Sequence, residues 1–391
     1  MIPEEWEAPR LGEAADVLMG QSPSGASYNR SGIGVPLING PTEFTEKHPI
    51  KIQWTSEPTK YCRKGDVLLC VRGSSTGRMN ISDDEYCIGR GVAAIRAKTG
   101  ADTPFITYQV ASAVQGILAL TTGSTFPSID GKSIRAIQIS LPPLPEQRAI
   151  AGALSDVDAL IGSLEHLIAK KRDLKQATMQ QLLTGQTRLP GFHGKWEVRS
   201  LHEVCQKIQD GTHFSPKLGG NDYLYVTSKN IGFGKFDVST ADRIDAAEHA
   251  KIYARCDVKK GDLLLTKDGA NTGNAALNPL DEPFSLLSSV ALLRFDCRRH
   301  LPAYFLYQIL SFDGQRQIKD LMSGNAITRV TLVKIRSLRF SIASLEEQTA
   351  IAEVLSDMDA ELAALEQRRD KTLAFKQGMM QELLTGRTRL V

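Results

Sequence analysis

Few residues in this 391-residue sequence have the type and spacing that catalysis requires. Gly131-Lys132-Ser133 carries the lysine and hydroxyl of a phosphate-cradling loop. Such a loop needs four residues between its first glycine and the Gly-Lys-Ser, and position 126 is Phe. No Gly-x-Gly-x-x-Gly follows a strand-like run, and His-Glu-x-x-His does not occur. An Asn/Asp-Pro-Pro-aromatic run, used to methylate amino groups, is missing too. The seven histidines (48, 166, 193, 202, 213, 249, 300) are scattered. His166 falls on a helix flank, and His213, in a Gly-Thr-His loop, is the one with a functional claim, set against the plainer expectation of a structural residue. Asp83-Asp84 reads as a solvated turn. The six cysteines (62, 70, 87, 205, 256, 297) lack both Cys-x-x-Cys and zinc spacing and read as free buried thiols. No catalytic constellation and no metal site emerge.

The elements that hold these residues are ordinary in composition. At 42% hydrophobic and 23% charged, the chain can bury a core, which excludes disordered, collagenous and disulfide-stapled classes. Two globular units are the expectation for this length. The best apolar run, residues 110–120, is broken by Ser112 and Gln115 and falls short of the ~20 residues a bilayer needs. Glu4, Glu5 and Glu7 stand where a signal peptide would want positive charge, so a cytoplasmic protein without a membrane partner is expected. A net charge of +3, from 47 basic and 44 acidic residues, neither demands nor forbids a nucleic-acid partner.

The chain is written twice. Residues 144–189 and 345–390 align without a gap at an offset of 201, with 25 of 46 positions identical. Fainter matches join the rest: Trp6-Glu7 with Trp196-Glu197, Lys64-Gly65-Asp66 with Lys260-Gly261-Asp262, and Gly73-x-x-Thr76-Gly77 with Gly269-x-x-Thr272-Gly273. Tyr108-Gln109 matches Tyr307-Gln308, and Ile134-Arg135 matches Ile335-Arg336. Four segments follow: variable 1–143, constant 144–189, variable 190–343, constant 344–391.

Each constant segment reads as one long helix. Ile150, Leu154, Val157, Ile161, Leu164 and Ile168 alternate four and three apart, as do Ile351, Leu355, Met358, Leu362 and Leu365. That is the seam of a coiled coil. Pro145 suits a first turn, Ser344 with Glu347 makes a capping box, and Gly185 and Gly386 supply the helix ends. The seam turns polar at Lys171, Lys175, Arg369 and Lys376. About 38 residues at 1.5 Å each give a rod of ~57 Å. The natural cover for each apolar stripe is the other helix. The favoured arrangement is antiparallel, with a pseudo-twofold axis and a domain at either end; the alternative is two helices packed separately on their own domains.

The variable segments mix strands and helices. Strands are expected at 66–71, 92–97, 134–141, 262–266, 290–295 and 335–341, and helices at 105–120 and 302–310, the latter extending towards 321. The fold class is therefore α/β: two pseudo-repeated mixed α/β domains separated by two long helices forming an antiparallel coiled coil. Charge divides unevenly, 14 basic against 14 acidic residues in 1–143 but 21 against 16 in 190–344.

With GSTFPSIDGKSIRAIQISLPPLPEQRAIAGALSDVDALI at 123–161 and GNAITRVTLVKIRSLRFSIASLEEQTAIAEVLSDMDAEL at 324–362, the duplicated chain resembles the specificity subunit of type I restriction–modification systems. The resemblance covers the full length and implies a non-catalytic DNA reader. Each variable segment would be a target recognition domain for one half of a split, asymmetric site on double-stranded DNA. The helices would act as spacer and docking surface for two modification subunits similar to adenine methyltransferases, and restriction subunits can join them. The resemblance places S-adenosylmethionine and ATP with Mg in those partners and no cofactor in this chain. A coiled-coil scaffold that binds only protein, an unrecognised enzyme and an orphan methylation system are the competing readings.

Base edges need Arg, Lys, Asn, Gln, Ser or Thr on reachable loops. The first candidates are Arg72, Ser74, Ser75, Thr76 and Arg78 in one domain, and Lys267, Asn271, Thr272 and Asn274 in the other. Ser124, Thr125 and Asn325, in the Gly-polar segments, come next. Each loop could instead be a plain hairpin turn. Two domains reading one face of a duplex should sit about a helical turn, ~34 Å, apart. Lengthening the rod by a heptad should then shift the permitted gap between half-sites.

Overall fold

The computed structural model describes residues 3–120, 128–322 and 328–390. Two compact units result: 1–165 with 367–391, and 166–366.

The first unit is organised around a four-stranded antiparallel sheet of β1 (Ala15–Met19), β2 (Val67–Cys70), β3 (Met79–Ile81) and β4 (Val92–Ala97), in the order β1-β4-β2-β3. Both faces of its central strands are covered, so Val67, Leu68, Leu69 and Cys70 form a continuous apolar run rather than an alternating one. Leu11, Ile106, Val110 and Ile134 cover one face, while Ile38, Tyr86 and Ile88 of a second, five-stranded sheet cover the other. Helices α1 (Thr103–Leu120) and α2 (Gly131–Ala136) follow, then α3 (Leu144–Leu183), whose first half belongs to this unit.

The second unit repeats the plan. Strands β5 (Cys205–Asp210), β6 (Leu263–Thr266), β7 (Ala275–Leu277) and β8 (Val290–Phe295) take the same order, β5-β8-β6-β7. Its companion sheet has three strands, and a helix, α4 (Ala246–Tyr253), follows the strand Asp242–Ile244 and packs Ile252 against Tyr225 and Ile244. Beyond β8 come α5 (Pro302–Leu310), α6 (Phe312–Leu321), α7 (Leu332–Ser337), β9 (Arg339–Ile342) and α8 (Leu345–Leu383).

The expected helix at 302–310 is present, and its extension towards 321 is broken at Ser311, whose hydroxyl donates to the Gln308 carbonyl and accepts from the Gly314 N–H, capping a new helix. The expected strands at 134–141 and 335–341 begin instead as helical turns. Asp130 accepts from the Ser133 N–H at 2.7 Å, and Thr331 accepts from the Lys334 N–H at 3.4 Å. These side chains close a first turn that apolar alternation alone does not reveal. Extended chain resumes at the Arg10–Gln138 and Glu7–Leu141 bridges and in β9. Cys297 is exposed and Cys205 half-buried, so the expectation of buried thiols holds for the other four cysteines.

In each unit the long helices run antiparallel. In the first, Asp158 of α3 meets Lys376 of α8 at 2.6 Å, and Glu146 meets Arg389 beyond the end of α8 at 2.7 Å. In the second, Lys171 meets Glu361, Arg172 meets Glu366 and Lys175 meets Asp359, at 2.5–2.7 Å. The seam is also anchored on each domain: Ile150 and Leu154 pack with Trp6, Phe105 and Leu383, while Ile351 and Leu355 pack in the core that holds Tyr304 and Leu183. Gly185 and Gly386 follow the helices with φ of +72° and +74°.

Candidate nucleic-acid interface

The two loops singled out by the sequence have one backbone. Residues 71–78 join β2 to β3, and residues 267–274 join β6 to β7. In the first, Gly77 N–H donates to Cys70 and Arg78 N–H to Ser75; in the second, Gly273 N–H donates to Thr266 and Asn274 N–H to Asn271. Thr76 Oγ1 donates to the Gly73 carbonyl at 2.7 Å, and Thr272 Oγ1 to the Gly269 carbonyl at 2.7 Å. Gly73 and Gly269 have φ of +83° and +97°, a region that side chains with a Cβ rarely enter. The threonine lock and its glycine thus explain the Gly-x-x-Thr-Gly repeat as loop geometry.

Around that backbone the side chains divide. Arg72, Ser74 and Arg78 are exposed and Ser75 is half-buried. Thr76 is buried. The Arg78 guanidinium reaches the carbonyls of Phe44, at 2.9 Å, and Pro41. In the other loop Asn271 is exposed, while Thr272 and Asn274 are half-buried. Asn271 Nδ2 donates to the Ser228 carbonyl and Asn274 Nδ2 to that of Ile231. Lys267 does not present its charge at the surface. It is 1% exposed, with its ammonium 2.9 Å from Asp268 and 3.4 Å from Asp210. It therefore acts on the loop from beneath. Ser124, Thr125 and Asn325 lie outside the described residues, but the chain just beyond them meets each loop. Ser128 bridges Arg72, and Arg329 bridges Asp268 and approaches its carboxylate at 3.2 Å.

A second repeated constellation sits where the helices end. In the first unit Glu146, 4% exposed, accepts from Trp6 Nε1 at 3.1 Å and from Arg389 at 2.7 Å. In the second, Glu347, 1% exposed, accepts from Trp196 Nε1 at 2.9 Å and from Arg188 at 2.5 Å. Each arginine also lies over its tryptophan ring, 5.7 and 5.1 Å from the centroid. Burial pushes the Glu146 carboxyl up, but Arg389 and Trp6 together outweigh it and hold it below the usual range. The capping box at Ser344 is used in one direction: its hydroxyl accepts from the Glu347 N–H, while the Glu347 carboxylate faces Trp196 and Arg188. The polar seam positions have a similar logic. Tyr108 donates to Asp158 and lies under Lys376; Tyr307 donates to Asp359 and lies under Lys175.

His213 sits 3.2 Å from the buried Asp210 and lines a cleft of about 300 Å³. Asp83 accepts from Tyr86 and Asp84 pairs with Lys51, a surface turn. Among the described residues no cluster of three or more His, Cys, Asp or Glu could hold a metal, and no helix is long and apolar enough to cross a membrane. The sequence missed Asp210 and Arg329 as partners of the second loop. It also missed the Trp–Glu–Arg clasps, although all three of their residues recur in both copies.

Comparison with known proteins joins this doubled geometry to a family. The family model described as type I restriction modification DNA specificity domain matches residues 3–171 and 193–374, and the chain belongs to that family. A putative type I restriction enzyme MjaX specificity subunit from Methanocaldococcus jannaschii is 38% identical over 191 residues, 48% of this chain and 45% of that relative, so the match spans under half of the relative's length. The type I restriction enzyme MjaVIII specificity subunit of the same organism is 24% identical over 100% of this chain and 94% of the relative. The crystal structure of a type I restriction-modification S subunit from M. genitalium superposes with a TM-score of 0.60 at 16% identity, over 98% of this chain and 96% of that one. The duplicated α/β fold with long antiparallel helices is shared with it.

Proposed function

We propose that this chain is the sequence-reading, non-catalytic subunit of a type I restriction–modification complex, acting in the cytoplasm on a split, asymmetric site in double-stranded DNA. Residues 1–143 and 190–343 are the two target recognition domains, one per half-site, and 144–189 with 344–391 form the helical part between them. The observation that carries the reading is the pair of loops. One backbone, held by the same glycine and threonine hydrogen bond, displays Arg72, Ser74, Ser75 and Arg78 in one domain and Asn271 and Asn274 in the other. A constant scaffold with variable donors is what reading two different half-sites requires. Thr76, Thr272 and Lys267 support the loops from within, and the Gly-polar segments with Ser124, Thr125 and Asn325 complete the proposed contact set.

The partners are two methyltransferase subunits that carry S-adenosylmethionine, with restriction subunits and their ATP and Mg joining through them. Leu160, Leu167 and Leu174 support docking on α3. They recur every seven residues and are 41%, 38% and 52% exposed, an apolar line left uncovered along the helix.

The test is DNA binding by the chain assembled with its methyltransferase subunit. A reader of phosphates and bases binds with an affinity that falls steeply as salt rises and retains sequence preference. A protein-only scaffold would assemble with the same partners and show neither.

A further inference from the structure

The second domain carries a cleft with no helix-built counterpart in the first, lined by Gly211, Thr212, His213, Phe214, Lys251, Ile252 and Arg255. One wall is the turn after β5. Thr212 N–H donates to the Leu286 carbonyl, and a Cβ on Gly211 would stand 2.0 Å from that same oxygen, so the turn lies hard against the sheet. The opposite wall is α4 and the residues just past it. His249 is stacked on Tyr223 at 3.7 Å and bonded to Ser285, and Ile252 is buried. With those residues turned inward, Lys251 on α4 and Arg255 in the turn just past it are exposed and line the cleft.

The chemistry of the lining is specific. Among the described residues the Arg255 guanidinium makes no hydrogen bond or ion pair. Lys251 pairs only with Glu248, at 63% exposure of its own side chain, a contact worth little in water. Phe214 is 47% exposed beside them. His213 shares Asp210 with the buried Lys267, which ties the cleft floor to the recognition loop. Two outward cations, an imidazole and an exposed ring around a cleft of about 300 Å³ suit an anionic, sugar-bearing ligand rather than an apolar one. The first domain has the turn at Gly20 but an irregular stretch at 56–60 where α4 would stand, and it lacks the excess of basic residues found in 190–344.

We propose that this cleft seats one backbone phosphate of the DNA beside the second half-site, with Arg255 and Lys251 on the phosphate oxygens and Phe214 against the deoxyribose. The inference rests on the DNA-reading function proposed above and adds that the grip is lopsided: the second domain has a phosphate seat and the first does not.

The experiment compares the methyltransferase-bound chain with its K251A/R255A variant on duplex DNA containing the target. Both positions are exposed, so equal thermal midpoints confirm that folding is unaffected. Losing one phosphate contact is expected to lower the slope of log affinity against log salt by about 1, equally for target and non-target DNA. Ethylation of a single phosphate next to the second half-site should interfere with the wild type and not with the variant. An unchanged slope and interference pattern in the variant, with the wild type binding normally, would overturn the phosphate seat and leave the reader intact. A wild-type complex that binds no DNA would instead remove the reader itself. Competition by ATP that is lost in the variant would assign the cleft to a free nucleotide, and so also overturn the proposal.

Discussion

The two Gly-x-x-Thr-Gly loops share a backbone but stand on different foundations. Beneath the first, Met19 and Val71 occupy the positions that Asp210 and Lys267 take beneath the second: Met19 pairs with Ala93 as Asp210 pairs with Ala291, and Val71 N–H donates to Gly91 as Lys267 N–H donates to Ser289. One loop rests on apolar contact, the other on a buried ion pair that continues outward through Asp268 to Arg329. Loop geometry therefore does not depend on what lies under it. The glycine and the threonine lock set the shape, and the foundation is open to change together with the side chains displayed. That separation lets a duplicated domain diverge in the side chains it displays while keeping its fold.

The comparison is broken most sharply by removing one member of the buried pair. Lys267→Ala leaves Asp210 without its ammonium and is expected to cost about 3–5 kcal/mol, read as a lower urea midpoint. Installing the first domain's pair, Asp210→Met with Lys267→Val, is expected to recover stability to within about 1.5 kcal/mol of the parent. If the double replacement is as damaging as the single one, the foundations are not interchangeable.

The helix-end clasps test the opposite case, where the two halves are the same. Arg188→Ala and Arg389→Ala each strand a buried glutamate and should each destabilise by about 3 kcal/mol, with similar losses. A large inequality would show that the repeat has diverged energetically despite its shared hydrogen bonds. Replacing the lock by Thr76→Val or Thr272→Val removes the hydrogen bond to the loop glycine and should cost at least about 1 kcal/mol in either domain.

Acid separates the halves least. Lys207 and Arg294 hold the Asp257 carboxyl down at about 2, below its ordinary value of 3.8. A depressed carboxyl stabilises the fold above its unfolded pKa, and that contribution is lost as pH falls from about 4 towards about 2. After screening of this partly exposed group, the loss is on the order of 1 kcal/mol. Lys207→Ala should remove most of the effect. The first domain has Tyr61 at the matching position, and its unit responds through Glu146, whose depressed carboxyl loses its stabilising effect in the same direction.

What the sequence made legible follows from periodicity and repetition. The heptad seam marked both long helices, and short apolar runs bounded by Gly, Pro, Asn and Ser clusters marked β2, β4, β6 and β8. The repeat isolated Gly-x-x-Thr-Gly as a loop with a job. The helical turns after Asp130 and Thr331 were hidden because one capping side chain outweighs a run of alternating residues. Lys267 looked like a surface cation because the residue that buries it, Asp210, lies on another strand, and neither spacing nor pattern links the two. The clasps join residues 140 or more apart, yet Trp6 with Trp196, Glu146 with Glu347 and Arg188 with Arg389 recur together, which was signal enough to pair them.

The most direct test of the central claim, that each domain reads its own half of a split site, is long-read sequencing of DNA from cells expressing this chain with its methyltransferase subunit. The result expected is a bipartite motif with modified adenines in both halves, in which replacing residues 1–143 by those of a related subunit changes one half and spares the other. No modified motif, with the methyltransferase bound and active, would contradict the account, as would a swap that alters both halves at once.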